Sequence, residues 1–268
     1  MNILFTINRG YLEHLEDCIR SIVRFSSDDG YDIYIMYSDL QSEDEIQLGA
    51  LADKNVRLHF VYVDPVKEFD FPETDRYPIE IYYRIFASFL LPDTLERILY
   101  LDADTLVINP LTELYHMEFN GNYILACTHI RKALNKINQI RLGVKDERPY
   151  INSGIMLMNL EELRKQQSIH EVTDYVKKHK NVLALPDQDI ITALYGDKIG
   201  LLDTMRYNLS DRMLAIYNAD TSHKKIDLEW VRKNSVIIHY YGKQKPWNKG
   251  YHGKLNVFYE EIKKRIDV

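Results

Sequence analysis

From Ile3 to Val63 the chain alternates between two hydrophobic periods, and this alternation restricts the fold more than any other feature. Residues 3–7 form a short apolar run, the mark of a buried strand. Leu12, Leu15, Ile19, Ile22 and Val23 then recur in three- and four-residue steps, one face of a helix. Asp32 to Tyr37 is rich in β-formers and reads as a second strand. Ser42 to Leu51 reads as a short helix with a Ser cap and Glu45 three residues on. Val56 to Val63 is a third strand. Strand–helix–strand order implies parallel strands, right-handed crossovers and helices covering the sheet. The expectation is an α/β fold with a Rossmann-like first half. No G-x-G-x-x-G is present, and Gly10 is the only glycine near the first strand end, which argues against hydride transfer.

The remaining chain extends this pattern. Residues 64–78, with Pro65, Pro72 and Pro78, read as a loop, and Ile79 to Leu91 as a helix bearing Arg84. Residues 129–149 are polar and basic without clear periodicity and read as a lid or excursion. A C-terminal helix is expected at about 253–266. No repeat or linker divides the chain, so residues 1–268 are read as a single domain. A 46% hydrophobic content supports a sizeable core. The net charge of −6 provides no broad basic field for nucleic acid. Cys18 and Cys127 lie in apolar stretches without metal or redox spacing, so a reduced cytoplasm is the expected compartment. No segment approaches the roughly 20 apolar residues a membrane helix needs.

Chemistry concentrates first at Ile98-Leu99-Tyr100-Leu101-Asp102-Ala103-Asp104. Four apolar residues read as a strand buried on both faces, and its carboxyl end is where ligands bind in such sheets. Two carboxylates one residue apart repel unless a cation lies between them. Asp102 and Asp104 therefore suit Mg²⁺ or Mn²⁺ holding substrate phosphates, although Asp at a strand end also simply starts a turn. Three further segments join them: the strand from Tyr150 carrying Asn152-Ser153-Gly154, the helix start Pro186-Asp187-Gln188-Asp189 with Asp187 as its cap, and Val236 to Gly242 running into Lys243-Gln244-Lys245-Pro246-Trp247. Gly154 would let a ligand approach the backbone closely.

The ordered set Leu-Asp-Ala-Asp, Asn-Ser-Gly, Asp-Gln-Asp and His-Tyr-Tyr-Gly-x-x-Lys-Pro-Trp resembles glycosyltransferase family 8, which includes bacterial lipopolysaccharide galactosyl- and glucosyltransferases and glycogenin. The resemblance runs from Ile3 to about Trp247. It implies a single GT-A type nucleotide-diphospho-sugar transferase domain with a mostly parallel mixed central sheet, and a retaining hexose transfer from a UDP-sugar to a saccharide, glycolipid or glycan. By the same resemblance Asp102, Asp104 and His239 are the metal ligands. An imidazole in the set favours Mn²⁺, with Mg²⁺ possible. Gly242 and Lys245 match the loop that closes on the diphosphate, and Trp247 its anchor. Asn8, Arg84, Ala103, Asn152 and Ser153 match the donor side, while Asp187 and Gln188 match the residues at the reacting sugar. Gln188 is read as a nucleophile or a stabiliser of positive charge; its amide is a poor nucleophile, which favours the second role.

Two positions depart from the family pattern: Asn8 stands where an aspartate near the uracil is common, and Thr128-His129 where some members place an acid beside the sugar. Taken singly, each residue has an ordinary explanation: a core histidine at 239, a surface ion pair at Arg84, a turn at Asn152. Two other functions are weighed. A non-catalytic or self-glycosylating sugar-nucleotide-binding protein would need the same ligands. A haloacid-dehalogenase-like phosphatase also follows an apolar strand with Asp-x-Asp, but wants Thr or Val where Leu106 stands, and Asp197 with Asp203 fits its later acids poorly.

Overall fold

The computed structural model describes residues 1–25, 30–64, 78–129, 132–144 and 148–266. In chain order the strands are β1 (Asn2–Thr6), β2 (Tyr31–Tyr37), β3 (Val56–Tyr62), β4 (Arg97–Leu101), β5 (Thr105–Val107), β6 (Ile124–Cys127), β7 (Asn152–Asn159), β8 (Ile199–Leu201) and β9 (Ile237–His239). Among the described residues one mixed sheet has the order β3-β2-β1-β4-β7-β6-β8, and β5 with β9 forms a separate pair. The β3-β2-β1-β4 half is parallel, β7 is antiparallel to both β4 and β6, and β8 is parallel to β6. This is the α/β architecture the alternating periods predict.

The chain lays β2 and β3 outward from β1, then returns to place β4 on the other side of β1. That reversal opens a crevice beyond the carboxyl ends of β1 and β4, the usual place for a ligand in an open α/β sheet. Side-chain alternation fills both faces. Ile3, Phe5, Leu99 and Leu101 join Leu15, Ile19 and Ile22 of the helix Leu12–Val23 on one face. Leu4, Ile98 and Tyr100 join Tyr82, Phe86 and Ile190 on the other. Ile98 to Leu101 are fully buried, each such side chain contributing about 1.5–3 kcal/mol. A third cluster unites Leu106 and Ile238 of the small sheet with Phe258 and Ile262 of the helix Asn256–Ile266.

Local details differ from the sequence expectations. The helix Ser42–Gly49 has Gln41, not Ser42, at its N-cap, and Asp44 accepts the Gln41 N–H at 2.9 Å. The expected helix 79–91 is three short turns, with a tighter one at Arg84–Phe86 between Glu80–Tyr83 and Ala87–Leu90. Residues 65–77 of the expected loop lie outside the described residues. The stretch 129–149, read as aperiodic, contains the helix Lys132–Leu142. Its pattern is inverted: Gln139 is buried and donates to the Arg148 carbonyl at 2.8 Å, whereas Ile137 and Ile140 are 60% and 71% exposed. Apolar steps that face water do not mark a buried helical face, which is why the period misleads. No described helix is long and apolar enough to cross a membrane.

Candidate active site

The site begins where β4 ends. The Asp102 N–H donates to the Gly154 carbonyl at 2.8 Å, and the Thr105 hydroxyl donates to the Asp102 carbonyl at 2.8 Å, closing a turn that presents both aspartates. β5 leaves that turn and pairs antiparallel with β9, with Thr105 opposite His239. This pairing delivers an imidazole from more than a hundred residues away. His239 Nε2 lies 3.0 Å from Asp104 Oδ1 and 3.6 Å from Asp102 Oδ2. One ligand atom from each of the three residues lies within 4.8 Å of the others.

The polarity of this trio can be followed bond by bond. His239 Nδ1 donates to Asn208 Oδ1 at 2.9 Å, leaving Nε2 as a lone pair facing carboxylate oxygens. Asp104 Oδ1 and His239 Nε2 are both buried without a hydrogen-bond partner. Acceptors converging on one point are mutually repulsive and fit a divalent cation well, with two hard oxygens and one nitrogen as the donor set. Lys245 donates to Asp104 Oδ2 and, at 2.8 Å, to the Tyr240 carbonyl. Burial raises the Asp104 pKa, and the Lys245 ammonium beside it pulls it down.

A second layer lies behind Asp102. The buried Arg84 guanidinium is 2.9 Å from Asp102 Oδ1, 3.2 Å from Asp187 Oδ2 and over the Tyr100 ring. Burial disfavours its charge, but Asp102, Tyr100 and Asp187 more than compensate and raise its pKa. Asp187 also accepts the Ser153 hydroxyl at 2.6 Å, and burial still pushes its carboxyl up against the pull of Arg84. Gln188 Oε1 accepts from Asn152 Nδ2 at 3.2 Å. Asp187 is therefore not the helix cap expected from sequence. The helix Pro186–Tyr195 has Leu185 at its N-cap and no side-chain cap; Asp189 accepts the Ala184 and Leu185 N–H groups just before it and pairs with Arg141 at 2.7 Å. Asp187 faces Arg84 instead.

In front of the aspartates lies a cleft of about 280 Å³, bounded by Asn8, Tyr11, Arg84, Asp102, Ala103 and Asp104 among others. It occupies the crevice between β1 and β4. The profile of glycosyl transferase family 8 matches residues 2–250. The chain belongs to that family. A lipopolysaccharide 1,2-glucosyltransferase of Escherichia coli is 26% identical over 256 residues, covering 92% of this chain and 73% of its own. General stress protein A of Bacillus subtilis is also 26% identical, covering 92% and 87%. The galactosyltransferase LgtC, solved with donor and acceptor sugar analogues, has a TM-score of 0.83 at 23% identity over 99% of this chain and 96% of its own, a likeness of GT-A fold. Membership sets aside the phosphatase alternative.

In this family 8 chain the tertiary structure gathers most of the expected residues. Asp102, Asp104, His239 and Lys245 meet at one point, and Arg84 joins them to Asp187, Ser153 and, through the Ser153 backbone, Gln188. Gly242 stands apart, its φ of +102° turning the chain from β9 toward Lys245. Trp247 stacks on His14 with ring centroids 3.6 Å apart, pinning the Lys245 loop to the first helix. His129 stacks on Tyr241, and burial pushes its pKa down to about 3, so a neutral ring occupies a position where some members place an acid. Sequence reasoning missed Tyr11, 39% exposed at the cleft, and Asn208, fully buried against His239. Nothing in Arg206-Tyr207-Asn208-Leu209 marks that asparagine as part of a site.

Proposed function

We propose that this chain is a retaining glycosyltransferase moving a hexose from a UDP-sugar to a saccharide, glycolipid or glycan acceptor, assisted by Mn²⁺ or Mg²⁺. The convergence of Asp102, Asp104 and the His239 lone pair at the mouth of the cleft carries this reading. The glucosyltransferase relative and a Salmonella typhimurium lipopolysaccharide 1,3-galactosyltransferase, 22% identical, support the hexose class. Bound at these three residues, a divalent cation supplies Lewis-acid stabilisation of the departing diphosphate.

The chain's own residues do the rest. Asn8 presents an amide that pairs with both donors and acceptors of a uracil edge, and the exposed Tyr11 ring offers a stacking face beside it. Lys245 has a flexible stem, and moving from Asp104 to a phosphate oxygen places its charge beside the leaving group. Asp187 is held at its Oδ2 by Arg84 and Ser153, leaving Oδ1 to accept from sugar hydroxyls. Gln188 projects an amide dipole toward the reacting carbon, stabilising positive charge there as the glycosidic bond breaks.

Calorimetric titration with UDP, with and without Mn²⁺, tests the site. Tight binding is expected only with the metal, and Asp104→Ala is expected to reduce it to the metal-free level and abolish transfer. Metal-independent binding, or normal transfer by Asp104→Ala, rules out the metal assignment. Gln188→Ala is expected to lower turnover roughly 10²–10³-fold while leaving UDP affinity unchanged. Equal losses in both would reduce Gln188 to a binding residue.

A further inference from the structure

Asn208 is buried and uncharged, and both ends of its amide are committed. Its Oδ1 accepts from His239 Nδ1 at 2.9 Å, and its Nδ2 donates to Asn152 Oδ1 at 2.9 Å. Asn152 in turn donates from Nδ2 to Gln188 Oε1 at 3.2 Å, while its Oδ1 also accepts the Gly154 N–H. Each amide thus accepts on one side and donates on the other, so a single direction of polarity runs from the imidazole to Gln188. Reversing one amide would place two acceptors or two donors face to face.

We infer that Asn208 is a positioning residue that sets both the His239 tautomer and the orientation of the Gln188 amide, coupling the metal-ligating corner to the sugar-facing one. The inference rests on the transferase reading only for its kinetic consequences. The His239 tautomer does not depend on it. An imidazole whose Nδ1–H is held by a fixed acceptor keeps Nε2 free as a ligand, the usual arrangement behind a metal-binding histidine. The Asn208 backbone holds its place through the Asn208 N–H to Thr204 carbonyl bond at 3.1 Å, and Leu209 bridges to Ile238 of β9. The amide is therefore carried by a bridge to β9, the strand that bears His239.

Two substitutions separate the two ends of the amide. Asn208→Asp keeps an acceptor for His239 Nδ1 but has no N–H for Asn152; Asn208→Leu removes both bonds. Histidine-ring ¹H–¹⁵N NMR reads the tautomer, calorimetry with Mn²⁺ alone reads the ligand set, and UDP release from the donor reads turnover. The expected pattern is an Nδ1–H tautomer in the parent and in Asn208→Asp, lost in Asn208→Leu. Mn²⁺ affinity should stay within about threefold in the Asp variant and fall roughly 10–100-fold in the Leu variant. Turnover should fall in both, and Asn208→Asp should cost nothing further in a Gln188→Ala background, because the two act through one group. A parent His239 protonated on Nε2, Mn²⁺ binding by Asn208→Leu equal to the parent, or full additivity of Asn208→Asp with Gln188→Ala would overturn the inference. A parent without turnover counts against the transferase reading alone, since the tautomer and Mn²⁺ arms still judge Asn208.

Discussion

Replacing Gly154 with alanine is expected to disable the site while leaving the chain folded. A Cβ there would stand 2.3 Å from His239 Cε1 and 2.6 Å from Asp102 Oδ2, far inside contact distance. Neither neighbour can yield freely. His239 is 1% exposed and fixed by Asn208, and Asp102 is held by Arg84 and Tyr100. The methyl group must therefore push two of the three converging ligands apart. Displacements of this order cost roughly 100-fold in turnover, and the overpacking costs about 1–3 kcal/mol of stability. Mn²⁺-dependent UDP titration, with a denaturant melt alongside, measures both. Gly49→Ala is the matched control, since a Cβ there meets nothing within 4 Å. If Gly154→Ala binds UDP and Mn²⁺ as tightly as the parent, the crowding at this corner is relieved elsewhere and the glycine is not required.

Arg84→Met is expected to have the larger effect on stability. The arginine side chain is 7% exposed and compensates two carboxylates, Asp102 and Asp187, at once. Removing one partner of a buried ion pair leaves an uncompensated charge, at a cost of roughly 3–5 kcal/mol. The deficit carries its own pH signature. Burial already raises the Asp187 pKa while Arg84 pulls it down, so losing Arg84 raises it further. A carboxyl whose folded pKa lies above its unfolded value contributes stability that is complete below the unfolded pKa and disappears as pH rises through the folded one. The gap between variant and parent should therefore narrow as pH falls from 7 toward about 4, the unfolded carboxyl value. Denaturant midpoints at several pH values measure this. A gap that stays constant, or widens on acidification, would show that Asp187 is not the charge left exposed to the penalty.

How much was legible beforehand varies residue by residue. The parallel half of the sheet follows from β1, β2, β3 and β4, because a strand buried on both faces must be apolar throughout and its helices must carry a matching stripe. The boundaries of the helix at Arg84 and the existence of the helix Lys132–Leu142 were not legible. In the first, Tyr82 to Ser88 are all buried, so no amphipathic face announces it. In the second, Ile137 and Ile140 point outward while the polar Gln139 is buried. Gly154 was marked by its position after Asn152-Ser153, but as a point of ligand approach; what approaches it is the protein's own His239 and Asp102.

The linear chain by itself determined the α/β pattern and the carboxyl-end placement of Asp102 and Asp104, because both are consequences of local hydrophobic period and strand direction. The ordered motifs nominated His239, Lys245, Asp187 and Gln188 one at a time. Only the tertiary structure decided which atoms face one another. β5–β9 pairing brings His239 to Asp104, buried Arg84 reaches Asp187, and buried Asn208 links His239 to Asn152. These are contacts across tens to hundreds of residues between polar groups, and no local period encodes them; they are selected when burial leaves each donor and acceptor only one partner within reach.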